Sequence, residues 1–227
     1  MSKRVMAALA ALTISGSAAF AQVALAQEVK VGVVLPYTGI GAEFARQMDR
    51  GMELYLKLNP DQVKPYTITF IKRDSKAPSG ADAKIAVQEL LTQDKVDALA
   101  GWVYSPDAIA SAPLVTAGKK LAVIMNAGTA FITNLSPDFV RTSFTMWHAG
   151  YALGVAAAKQ LNAKTAVVAY SDFPPGKDSL DAFKAGFEAN GGVLLGSSVE
   201  KDGRTLTAIL QISFHLRRRF RCLASDP

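Results

Sequence analysis

Apolar and polar positions along this chain switch between two rhythms. Residues 29–35 (VKVGVVL) are almost continuously apolar, the mark of a strand covered on both faces. Residues 44–58 then take helical spacing. Phe44, Met48, Met52, Tyr55 and Leu56 are apolar, Arg46, Asp49, Arg50, Glu53 and Lys57 are polar, and Asn59-Pro60 ends the run. The alternation continues. Strands are predicted over 67–71, 96–100, 121–125, 139–142, 165–170 and 193–199. Helices are predicted over 79–91, 106–117, 145–161 and 177–190. Ser79 is the expected cap of its helix, with Ile85, Leu90 and Leu91 facing inward. Pro106 opens the next helix and Gly118 lies past its end.

Apolar strands alternating with helices predict an α/β fold with a doubly wound parallel sheet. Ligands of such sheets sit beyond the carboxyl ends of the strands. The residues to examine are therefore Pro36 to Gly39, Gly101 to Ser105, Asn126 to Thr129, and Ser171 with Asp172.

The two ends of the chain follow other rules. Residues 1–26 carry Lys3 and Arg4, an apolar stretch, and two small-x-small sites at Ala19-Phe20-Ala21 and Ala24-Leu25-Ala26. This is the three-part pattern of a secretory signal, with cleavage expected after Ala26. Ser15, Gly16, Ser17 and Gln22 interrupt the run before it reaches the ~20 apolar residues of a membrane span. From residue 201 the strand and helix rhythm fades into SFHLRRRFRCLASDP. That loss of local consistency reads as a shifted frame, the alternative being a basic surface tail. The expected division is therefore signal 1–26, first lobe 27–145, partial second lobe 146–200, and aberrant tail 201–227.

Composition narrows the function. The chain has 227 residues, 50% hydrophobic and 19% charged, which suits a folded core. Its +6 charge comes from the ends: without Lys3, Arg4, the four tail arginines and Asp226, the body is within one charge of neutral. No nucleic-acid footprint is present. One cysteine excludes an internal disulfide framework, and two distant histidines exclude a HExxH zinc site. An exported protein without disulfides suits a bacterial periplasm.

Chemical motifs are sparse. Gly39-Ile40-Gly41 resembles the start of a dinucleotide fingerprint, but Phe44 stands where the third glycine belongs. Asp74 ends the second strand as a ribose-binding acid would, yet lies too far along. The glycines fit better a turn that offers backbone N–H groups to an anion. Ser105 opens a helix and reads either as its cap or as part of an anion site. Thr129, in NAGTA, is either ordinary loop polarity or a ligand hydroxyl, with Gly128 giving backbone access. Trp102 and Tyr104 either line a pocket or pack at a strand end. No GxSxG elbow or paired carboxylates point to a hydrolase, and His148 reads as structural.

With these residues in view, the chain resembles ABC-transporter substrate-binding proteins of the type I periplasmic class, in the leucine/isoleucine/valine-binding family. The likeness runs from residue 29 to 199. It rests on six segments in order: VGVVLPYTGIGAEFARQMDRG, DSKAP, GWVYSPDAIASAPLV, VIMNAGTAFITNLS, VRT and AVVAYSDFPPGKDSLDAF. The resemblance implies two doubly wound lobes closing on a ligand, no catalysis and no cofactor. It implies ligand contacts at Phe44, Ser105, Ala127 and Thr129, to which Tyr104, Gly128 and Tyr170 are added as neighbours. An amino acid or related carboxylate is the implied ligand and an inner-membrane ABC permease the implied partner. A Rossmann-type oxidoreductase and a periplasmic sensor lobe are the alternatives.

Two departures matter. Met146, followed by Trp147, stands where relatives often carry an acid, and Pro175 where they often carry tyrosine. Less acid and more aromatic surface favour an aromatic or hydroxylated carboxylic acid. A second lobe limited to two strands and two helices would leave strand edges uncovered, so poor stability and weak binding are expected of a chain ending there.

Overall fold

The computed structural model describes residues 27–200. The expected signal segment 1–26 and the tail 201–227, with His215 and Cys222, lie outside the described residues.

Five parallel strands form the first sheet in the order β2-β1-β3-β4-β5. They are β1 (Gln27–Leu35), β2 (Tyr66–Asp74), β3 (Ala98–Gly101), β4 (Ala122–Ile124) and β5 (Phe139–Arg141). Helices α1 (Ala42–Leu58), the short α2 (Pro60–Val63), α3 (Ala81–Thr92) and α4 (Ser105–Gly118) connect them. The unbroken apolar run of β1 serves two cores. Val34 faces Val87, Leu90, Leu99, Trp102 and Ile124 beneath α3 and α4. Val33 and Leu35 face Ala45, Met48 and Met52 of α1. A strand apolar on both faces is what a sheet covered on both faces requires.

Beyond β5, α5 (Met146–Lys159) leads to β6 (Thr165–Ser171), α6 (Pro174–Glu188) and β7 (Val193–Glu200). Strands β6 and β7 pair in parallel as a separate two-stranded sheet. Among the described residues its apolar positions Val167, Val193 and Leu195 are exposed. Helices α5 and α6 pack backbone to backbone. A methyl group on Gly154 would strike the Phe183 carbonyl, and one on Gly186 would strike that of Tyr151. Only glycine permits this approach, as in other close helix pairs. Thr145 caps α5 reciprocally with His148, whose ring Nδ1 lies 2.7 Å from the Thr145 hydroxyl. The structural reading of His148 therefore holds. No helix among the described residues is long and apolar enough to cross a membrane.

Three local expectations need correction. Ile85 is 59% exposed, because Ala83, Ala86, Val87 and Leu90 form the inner face of α3. The two faces of that helix differ little in polarity, so spacing alone misplaced its stripe. Gly80, in a left-handed conformation, caps α3 in place of Ser79, since the turn demands positive φ. Gly118 is the last helical residue of α4, and Lys119 takes the left-handed position after it.

The glycine contact yields paired outcomes. Gly154→Ala is expected to destabilise by about 1–3 kcal/mol through overpacking. Gly51→Ala in α1, where nothing lies within 4 Å of the added carbon, is expected to stabilise by up to about 1 kcal/mol. Urea unfolding midpoints of the two variants check this.

Candidate functional site

The site begins where β1, β3 and β4 end side by side. Trp102 N–H donates to the Val34 carbonyl at 2.8 Å, and Ala127 N–H donates to the Trp102 carbonyl at 2.9 Å. Trp102 adopts φ +60 to make this relay, while its indole is fully buried. The indole N–H bonds Ser111 Oγ at 3.0 Å and the ring meets Phe139 edge-on. Of the two readings, Trp102 is core. Gly101, at φ +130, lets the Val34 carbonyl approach where a Cβ would stand.

This relay sets the loop after β3 against the loop after β4. Ser105 is the first residue of α4, with Tyr104 as its cap residue. The Ser105 hydroxyl does not cap its own helix. It accepts the Thr129 N–H at 3.2 Å, and both residues are buried. Thr129 Oγ1 is buried with no hydrogen-bond partner. It is one of four such side-chain atoms among the described residues, and two of the others, Ser75 Oγ and Asp107 Oδ2, face each other. An unpaired buried hydroxyl costs about 1–3 kcal/mol, so folded proteins keep few of them.

The structure thus gathers Ser105, Ala127, Gly128 and Thr129 in one wall. Tyr104 borders it, its hydroxyl resting on Gly41 of the first turn. Phe44, in the first turn of α1, is 51% exposed. Tyr170 lies on β6 and lines a groove of about 670 Å³ between α5, β6 and α6, with Met146, Phe173 and Pro175. Met146 joins the two regions. Its N–H donates to the Gly128 carbonyl at 2.7 Å and its side chain packs on the Gly128 Cα.

Two residues that the motif reading left without a role emerge here. Arg141, from VRT, donates to the carbonyls of Ala127 and Thr129, the latter at 2.7 Å. Burial works against its charge and the Asp178 carboxylate partly offsets that. Asp178 accepts the Ala130 N–H at 3.1 Å. Burial raises its pKa despite the Ala130 N–H bond and the nearby Trp147 amide. The basic residue in VRT was the available signal for Arg141. Nothing in the spacing marks Asp178, since its partner is a backbone amide 48 residues away.

Asp74 is already committed. Its carboxylate accepts Tyr37 N–H and Lys76 N–H, each at 2.8 Å, and the Thr38 hydroxyl at 2.7 Å. Burial pushes its pKa up, but those bonds outweigh it and hold it below the usual range. An acid so occupied shapes the Pro36–Gly39 turn and is not free for a ribose. Among the described residues, no cluster of three His, Cys, Asp or Glu is placed to hold a metal.

Asp107, in the first turn of α4, is fully buried and accepts the Gly80 N–H at 3.0 Å. Burial raises its pKa to about 6, opposed by the Gly80 N–H bond and the nearby Ser75 hydroxyl. The folded protein therefore holds this proton more tightly than the unfolded chain does. The group's stabilising effect is complete below about pH 4 and is lost as pH rises through about 6. Asp107→Asn keeps an acceptor for Gly80 and removes the titration. Stability of the wild type relative to this variant is expected to fall by about 2 kcal/mol between pH 4 and pH 7, as read from urea midpoints.

Comparison with known proteins gives a consistent set. A family model described as periplasmic binding protein matches residues 28–205. A Leu/Ile/Val-binding protein homolog of Brucella abortus is 35% identical over 192 residues, covering 85% of this chain and 48% of that protein. A solute-binding protein of an ABC transporter from Rhodopseudomonas palustris BisB5 was solved with 3,4-dihydroxybenzoic acid. It is 35% identical, superimposes with a TM-score of 0.75, and covers 82% of this chain and 52% of its own. A leucine binding protein from Thermotoga maritima is 26% identical with a TM-score of 0.71, covering 83% and 54%. The chain spans about half the length of the curated relatives it matches.

Proposed function

The chain belongs to the periplasmic binding protein family, and from that premise we propose that it captures a small aromatic carboxylate for an ABC importer in the periplasm. The observation that carries this reading is the unpartnered, buried hydroxyl of Thr129 beside Ser105 at the first turn of α4. A carboxylate placed there takes hydrogen bonds from the two hydroxyls and faces the positive end of the helix. Phe44 and Tyr104 stand by to cover the ring from the first-lobe side. The opposite wall is the groove through Met146, Tyr170, Phe173 and Pro175, which no charged side chain lines. An apolar wall with a few convergent polar groups is the usual make-up of a small-ligand site.

Several relatives support the aromatic choice. Proteins at 35–36% identity were solved with 3,4-dihydroxybenzoic acid, 4-hydroxybenzoate and p-hydroxybenzoic acid, whereas the leucine binding protein stands at 26%. Met146 and Pro175, the departures from the amino-acid pattern, both line the groove. Residues 27–145 serve as one lobe and 146–200 as part of the other. The ligand is held and released with no bond made or broken, and an inner-membrane permease receives it. A hydride-transferring oxidoreductase gains nothing from the structure, since Asp74 is occupied by its own turn.

Titration calorimetry with 4-hydroxybenzoate, 3,4-dihydroxybenzoate, L-leucine and L-isoleucine tests the ligand class. The hydroxybenzoates are expected to bind at least tenfold more tightly than either amino acid; the reverse order, or binding of none, overturns the proposal. Thr129→Val removes the hydroxyl at nearly constant volume. It is expected to weaken hydroxybenzoate binding roughly 10- to 150-fold, the worth of a hydrogen bond to a charged group. Unchanged affinity would remove Thr129 from the site.

A further inference from the structure

The ligand loop is gripped from two sides. On its carbonyl side, Arg141 of β5 donates to Ala127 and Thr129. On its amide side, the carboxylate of Asp178 accepts the Ala130 N–H at 3.1 Å. Ala130 opens the 3-10 turn Ala130–Asn134, so its N–H is one of the donors that a helix start cannot satisfy internally. The Trp147 amide in the first turn of α5 lies close enough to this carboxylate to favour its charge. Asp178 belongs to α6, in the two-stranded unit, whereas Ala130 belongs to the five-stranded one.

We propose that Asp178 is a positioning residue that latches the two units together and, through Ala130, holds the Thr129 loop in its ligand-ready shape. This rests on the reading that the Ala127–Thr129 loop is a wall of the ligand site. The other bond crossing at this point, Met146 N–H to the Gly128 carbonyl, lies on the connecting segment itself. It can survive a rotation of one unit against the other. The Asp178 bond lies off that segment, on helix α6, so a rotation about the segment displaces it. Closure therefore makes the Asp178 contact, and opening breaks it. A ligand bound at Thr129 sits one residue from the latch, so each stabilises the other. Affinity scales with the fraction of molecules in the competent shape, and removing the latch lowers that fraction.

The carboxylate accepts the amide at 3.1 Å with the Arg141 guanidinium nearby, so the bond is charge-assisted. Losing it should raise the dissociation rate of bound ligand more than it slows association, because closure follows encounter.

Two measurements on the full chain test this. In the ligand-free protein, amide hydrogen exchange at Ala130 is expected to rise at least tenfold in Asp178→Ala, with Trp102 and Ala127 amides unchanged. Unchanged exchange at Ala130 overturns the latch. So does a uniform rise at all three amides, which would mean a general loss of stability. Asp178→Asn, which keeps one acceptor, is expected to fall between, and it serves if the alanine variant does not fold. In stopped-flow binding with 4-hydroxybenzoate, Asp178→Ala is expected to raise the dissociation rate about tenfold or more, with association within about threefold of wild type. If the wild type does not bind the probe, the proposed function fails while the exchange data still decide the latch.

Discussion

Two backbone hydrogen bonds align the ends of three strands, and the site exists only because of them. The Val34 carbonyl accepts Trp102 N–H, and the Trp102 carbonyl accepts Ala127 N–H. To make both, Gly101 must let the β1 backbone approach within the volume of a Cβ, and Trp102 must take a left-handed conformation. Such a conformation in a bulky residue persists only where the surroundings over-determine it. Here the buried indole does so, bonded to Ser111 and packed on Phe139. Ser105 and Thr129 meet as a consequence. This junction lies between β1 and β3, where the strand order reverses, the place at which open α/β sheets leave a crevice.

Most polar groups around that junction are spent on one another. The Ser105 hydroxyl is used by Thr129 N–H, the Thr129 and Ala127 carbonyls by Arg141, and the Ala130 amide by Asp178. The Asp74 carboxylate is likewise spent on the first turn. The backbone of the loop is thereby fixed, while the buried Thr129 hydroxyl has no partner within the fold. A rigid wall with its own groups satisfied loses little entropy on binding.

The second unit is attached by a different principle. Helices α5 and α6 approach so closely, through Gly154 and Gly186, that their backbones are in contact. Anything tied to α6 is then tied to the start of α5, where Met146 touches Gly128. This is why a carboxylate on α6 can influence a loop in the other unit.

The element order, the parallel sheet and the family likeness were legible in the sequence. They depend on apolar periodicity, which is a local property of the chain: β1 is apolar at every position that two cores must fill. That Ser105, Ala127, Gly128 and Thr129 fall at adjacent strand ends was also legible, because strand ends locate them and the family resemblance singles them out. Which face α3 buries was not, since Ile85 and Ala83 differ in exposure only through what packs above them. The engagement of Arg141 and Asp178 was not legible either. Their partners are backbone groups, which carry no signature in a sequence, and the contacts join residues brought together by the folded chain alone. Sequence determined the scaffold and the residue types of the candidate site; tertiary structure decided which of its polar groups are spent on the fold and which stays unpaired, because hydrogen-bond pairing is settled by position in space.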